Sequence, residues 1–115
     1  MAISEAYAGS ESVSTTEWDL PSDSSSKSSL TTDGVYQVWL DLSNLQAGDI
    51  FEFRGYEKVQ SSDTQRAFMI ETISGVQSAP NYVTPSFVLI AGWTFTLLRK
   101  AGSDRTITWS IRSIA

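Results

Sequence analysis

Histidine and cysteine are both absent from the 115 residues, so carboxylates, amines, hydroxyls and aromatic faces are what this chain has for chemistry. A Ser-His-Asp triad, a Cys-His dyad and a zinc site each lack a base or a ligand within one chain. A pair of carboxylates is the remaining acid–base device, and Asp41, Glu52, Glu57 and Glu71 lie in or beside predicted strands, where two at glycosidase spacing would serve. Strand carboxylates more often pair across a sheet with cations, here Arg54, Lys58 or Arg66. No glycine-rich phosphate loop is present. Asp19, Asp23 and Asp104 fall in predicted loops near serines, without the Asp-x-Asp spacing of a calcium loop. The expectation is a non-enzymatic protein with no cofactor and no metal.

Aromatic faces remain. The chain has four tryptophans and four tyrosines. Trp39, Tyr56 and Tyr82, placed among polar neighbours, could stack on a pyranose ring. The more economical use is contact with protein, because an aromatic side chain carries a large apolar area and Tyr and Trp also carry a polar handle. Trp18, Trp39, Tyr56 and Tyr82 are therefore the candidate interface residues, while Trp93 and Trp109 read as core.

These residues need a β scaffold. Residues 93–114 alternate apolar with polar, broken at Ala101-Gly102-Ser103-Asp104, which reads as a β-hairpin whose Trp93, Phe95, Leu97, Ile107, Trp109 and Ile111 share one face. Asp33-Gly34 signals a turn into a strand with Tyr36, Val38, Leu40 and Leu42 on one side. A further strand spans 50–59, with Phe51, Phe53 and Val59 one way and Arg54, Tyr56 and Lys58 the other. Residues 65–73 follow with both faces at least half covered, residues 87–90 form a short buried strand, and residues 12–20 an edge strand closed by Pro21. Pro80 and Pro85 keep residues 75–86 irregular. With one short helical segment at 42–47, seven or eight strands result, an all-β antiparallel β-sandwich of jelly-roll-like type.

Between residues 22 and 29 six of eight positions are serine, too little apolar surface to offset the entropy of ordering alone. Residues 1–30 are thus expected to form an N-terminal strand and flexible Ser-rich arm, and residues 31–115 the sandwich, so that deleting the arm leaves the sandwich folded. Length predicts one core. The net charge of −5 disfavours a nucleic-acid partner. It is unevenly spread: residues 1–63 hold 11 acidic and 3 basic side chains, and residues 64–115 hold 2 and 5. No apolar run approaches the about 20 residues of a membrane span, and no secretory signal pattern opens the sequence. The expectation is synthesis in the cytoplasm and no membrane partner.

Four stretches carry a resemblance: Thr32-Asp33-Gly34-Val35-Tyr36-Gln37, Asp41-Leu42-Ser43-Asn44-Leu45-Gln46-Ala47-Gly48-Asp49, Tyr56-Glu57-Lys58-Val59, and the run from Gly92-Trp93 through Ala101-Gly102-Ser103-Asp104 to Ile111. On these, over residues 9–115, the chain resembles small β-sandwich virion structural proteins of tailed bacteriophages, in particular capsid decoration (cement) proteins. The resemblance implies a protein that binds the outer capsid surface and stabilises the shell. Its partners would be the major capsid protein and copies of itself, as a dimer or trimer. Its location would be the virion capsid surface after synthesis in the host cytoplasm, and the resemblance brings no catalytic residue. A tail, neck or baseplate component, or a carbohydrate- or receptor-binding module, fits the same residues.

Overall fold

Alternation of apolar and polar residues, period two, builds almost the whole molecule. The computed structural model describes residues 2–114, in which nine strands form and no helix. They are β1 (Ile3–Val13), β2 (Trp18–Asp19), β3 (Gly34–Asp41), β4 (Ile50–Glu57), β5 (Arg66–Ser74), β6 (Asn81–Val83), β7 (Phe87–Leu89), β8 (Thr94–Ala101) and β9 (Arg105–Ile114). The 42–47 segment is a run of tight turns, with Leu45 N–H on the Leu42 carbonyl, instead of a helix. The added strand is β6, inside the stretch 75–86 expected to be irregular, and the expected 12–20 strand is divided between β1 and β2, which raises the number above seven or eight; β6 and β7 lie on either side of Thr84-Pro85. Both pair with β3, because proline can interrupt an edge strand without cost to an inner ladder.

All pairings are antiparallel, and they divide the strands into two sheets, β1-β9-β3-β6 with β7 also on β3, and β2-β8-β4-β5. Chain order pairs β1 with β9, β2 with β8, β3 with β6 and β7, and β4 with β5, successive rungs falling in alternate sheets. One long antiparallel ribbon is in effect rolled up into a sandwich. Its core is filled from both sheets by Val38, Leu40, Ile107, Trp109 and Ile111 on one side and Phe51, Phe53, Trp93, Phe95 and Leu97 on the other.

This arrangement corrects the hairpin. β8 and β9 do not pair: they belong to different sheets, and residues 102–104 carry the chain across the core. The six apolar residues expected on one sheet face are all buried, but they meet across the sandwich. At the crossing, Gly102 has φ +85°, and a Cβ there would lie 2.2 Å from Asp49 Oδ1. Asp49 fastens this link to the β3–β4 turn, accepting from Gln46 N at 2.8 Å, Arg105 Nε at 2.7 Å and Ser103 N at 3.2 Å. The hydrogen bond from Arg105, with those from Gln46 and Ser103, holds the Asp49 carboxyl at a pKa of about 2.

The N-terminal third is woven into the sandwich, unlike the expected arm. β1 pairs with β9 from Ile3 to Val13, and Val13 and Leu20 are fully buried. The serine tract folds back onto one carboxylate. Asp19, 1% exposed, accepts from the backbone N–H and hydroxyl of Ser22, the backbone N–H and hydroxyl of Ser28, and the hydroxyl of Thr94. Those donors satisfy both of its oxygens, as burial of a polar group requires. Hydrogen bonds of Leu30 with Trp93, the residue before β8, and of Leu20 with Phe95 in β8 then tie down both ends of the tract. The physical division at residue 30 is a β-bridge, with the core continuous on both sides of it.

Candidate functional site

Each sheet has an outer face, and the two differ. Over β8 and β4 the outer face is closed by the segment from β2 to β3: Thr94 and Thr96 are fully buried, and Tyr56 and Leu98 are nearly so. Glu17 Oε2 anchors this cover, accepting from the hydroxyls of Tyr56 and Thr96, both at 2.6 Å, and lying 3.4 Å from Arg54 Nη1. Burial raises the pKa of that carboxyl, but the Thr96 and Tyr56 hydroxyls and the Arg54 guanidinium outweigh it and bring it below the ordinary value. Burial, with the Glu17 hydrogen bond, raises the Tyr56 phenol. Lys27 caps the Tyr56 ring at 4.1 Å.

The other sheet has no such cover. Registers across its strands set its outer side chains in rows. Ile3, Ile114, Val35 and Val88 form one row across β1, β9, β3 and β7. Two of its members are largely in water, Ile3 at 68% and Val88 at 77% exposure. The second row is Glu5, Arg112 and Gln37; the third Ala8, Ser110, Trp39 and Val83; the fourth Ser10, Thr108, Asp41 and Asn81. A shallow trough of about 580 Å³ runs over the last three rows, bordered by Glu5, Arg112, Trp39, Asp41 and Asn81. Within it the Arg112 guanidinium lies 4.1 Å over the Trp39 ring, and the Trp39 N–H donates to Gln37 Oε1 at 3.0 Å.

The four expected interface aromatics are dispersed. Trp39 stands on the open face, half-buried, with one ring face occupied by Arg112. Trp18 sits on the edge strand β2 with its N–H on Asp23 Oδ1 at 3.0 Å. Tyr56 is buried under the cover on the opposite face, 7% exposed. A register shift between Gly55 and Tyr56 sets it against Ala67, so the 50–59 strand is not uniform in the way its alternation predicts. Tyr82 turns inward, edge-on to Phe53 at 6.0 Å. The structure brings none of these into one site. Nor do the carboxylates converge: Asp41 is on the open sheet, whereas Glu52, held by Arg54, Glu57 and Glu71 are on the covered one. Among the described residues no group of three acidic side chains is placed to hold a metal ion.

Missed from sequence were the exposed apolar residues. Phe68 and Ile70 of β5 are exposed where half-covered faces were expected, and residues 87–90, read as buried, leave Val88 and Ile90 in water. Which face each residue takes depends on the partner strands and on the bulge opposite Gly55, neither of which the local pattern encodes. No family model, no curated protein and no solved structure matches this chain.

Proposed function

We propose that this is a non-enzymatic virion structural protein, a capsid decoration (cement) protein of the tailed-phage type, and that its sandwich is a jelly roll. The rolled ribbon, β1-β9-β3-β6 over β2-β8-β4-β5, supports the jelly-roll reading, since two interleaved Greek keys produce that strand order. The fold alone assigns no activity. The observation that carries the function is the asymmetry of the two faces. One face is covered over β8 and β4 by the chain's own serine segment, while the other presents an apolar row spanning four strands beside charged and aromatic rows. Side chains such as these, collected on one sheet face, are the composition of a contact surface. A cement protein works by contact area repeated over many copies, and needs no reacting group. Its partners in this reading are the major capsid protein and sister copies, as a dimer or trimer, on the capsid surface.

The trough over Trp39, with Asp41 and Asn81 at its border, favours a second reading as a carbohydrate- or receptor-binding module. Arg112 on the Trp39 ring weighs against it, because a sugar would have to stack on the opposite ring face or displace the guanidinium. Immunogold electron microscopy of intact virions, with antibody raised against the full chain, separates the cases. Label over the capsid is expected. Label confined to the tail, neck or baseplate would overturn the decoration assignment in favour of a tail component. Unlabelled virions, with a saturable tryptophan-fluorescence shift on glycan titration that Trp39→Ala abolishes, would replace it with the binding module.

A further inference from the structure

The outer side chains of the open face stand on a grid. Its columns are the strands β1, β9, β3 and then β6 or β7, and its rows are those of Ile3, Glu5, Ala8 and Ser10. Consider a two-fold axis in the plane of this face, parallel to the strands and midway between β9 and β3. A second copy generated by it lays every row on the same row of the first, with β9 over the partner's β3 and β1 over the partner's β6 and β7. In the apolar row Ile114 then meets the partner's Val35, and Ile3 the partner's Val88. In the third row large meets small twice. Trp39 comes over the partner's Ser110, in the trough of about 580 Å³, and Val83 over the partner's Ala8. In the fourth, Asp41 meets the partner's Thr108 and Asn81 the partner's Ser10. The charged members of the rows are Glu5, Arg112 and Asp41. Arg112 faces the partner's Gln37, and Glu5 the uncharged residues 84–86 between β6 and β7, so no like charges are opposed.

Other two-fold axes in this plane fit worse. One along β9 sets Arg112 against the partner's Arg112, and one along β3 sets Asp41 against the partner's Asp41. One midway between β1 and β9 overlaps two strands only. One across the strands at mid-face turns the copy end over end and lays the apolar row on the row of Ser10, Thr108, Asp41 and Asn81. Apolar area stacked on polar groups, or like charges in contact, opposes association.

We propose that the open face binds the same face of a second copy of this chain, in an isologous dimer whose two-fold axis runs between β9 and β3. Twisted sheets stack face to face at about 10 Å with their strands within about 30° of each other, which keeps the matched rows in contact near the axis. Such a contact uses each patch once and closes at two copies. The inference rests on the reading of the open face as a contact surface and names its partner; it does not depend on where in a virion the protein sits.

The test uses the single variants Val35→Glu and Ile114→Lys of the full chain, each checked for folding by far-UV circular dichroism, with light scattering and native mass spectrometry as readouts. The unaltered chain should be a dimer. Each variant sets a charge against an apolar residue of the partner and should raise the dimer dissociation constant by about tenfold or more. An equimolar mixture of the two should recover a heterodimer, because the two new charges then meet across the axis. Val35→Glu mixed with Asp41→Lys, a pair that only the end-over-end arrangement joins, should give no more heterodimer than Val35→Glu mixed with the unaltered chain. A monomeric or trimeric unaltered chain, variants that keep the dimer, a Val35→Glu and Ile114→Lys mixture that stays monomeric, or a heterodimer favoured by Asp41→Lys would each overturn the proposal. None of these outcomes alters where antibody labels the virion, so failure of this pairing and failure of the decoration assignment are read separately.

Discussion

The two outer faces are built from the same kind of strand, yet one is closed and the other open, and the difference lies in where the chain spends its short polar residues. Over β8 and β4, serine hydroxyls and N–H groups converge on Asp19, and Glu17 gathers Thr96, Tyr56 and Arg54, so polar groups are sealed in with their partners. Across β1, β9, β3 and β7, polar and apolar rows alternate in water with no segment laid over them. A face whose bonds are satisfied within the chain contributes to stability; a face left open is available to a partner. Substitutions on the first should therefore change folding and leave association alone, and substitutions on the second the reverse.

The largest effect is expected from Asp19→Ala, which leaves the donors of Ser22, Ser28 and Thr94 without their common acceptor. A loss of about 3–5 kcal/mol, read from urea unfolding, follows from stranding several buried donors at once. A loss below about 1 kcal/mol would mean that the serine segment is dispensable and the distinction between the faces weak. Next is Gly102→Ala at the crossing between sheets, where positive φ and the approach of Asp49 leave no room for a Cβ. About 2 kcal/mol is expected by the same assay.

Acid sharpens the contrast further. Asp49 has a folded pKa of about 2 against an ordinary 3.8, so its contribution is complete above 3.8 and is lost as pH falls through that value towards 2. The unfolding midpoint should drop over this window, and Asp49→Asn should remove that part of the drop while lowering stability at neutral pH. Smallest in stability terms is Val88→Ser on the open row, within about 0.5 kcal/mol of the unaltered chain in urea unfolding.

Much of this scaffold is legible in the residues. Tyr36, Val38 and Leu40 alternate into the core as their spacing predicts, and Trp93 and Trp109 are buried. What stays hidden is whatever depends on non-local partners. β1 is made of Ser, Glu, Ala and Gly around a few apolar residues and gives little strand signal; its ladder with β9 makes it a strand. Alternation over 93–114 looks the same whether its halves pair side by side or face each other across a core, so the sheet-to-sheet crossing could not be distinguished from a hairpin. A serine-rich composition reads as unstructured because nothing local indicates that Asp19 will collect its hydroxyls. The open apolar row joins residues 3, 35, 88 and 114, which only the registers bring together.

The most direct test of the open face as a contact surface is absolute mass in solution, by size-exclusion chromatography with light scattering, on the full chain and on the Val35→Ser/Val88→Ser double variant. The account predicts a dimer or trimer for the full chain and a monomer, with an unchanged far-UV circular dichroism spectrum, for the variant. A full chain that is monomeric at every concentration, or a variant that keeps the oligomer, would contradict it.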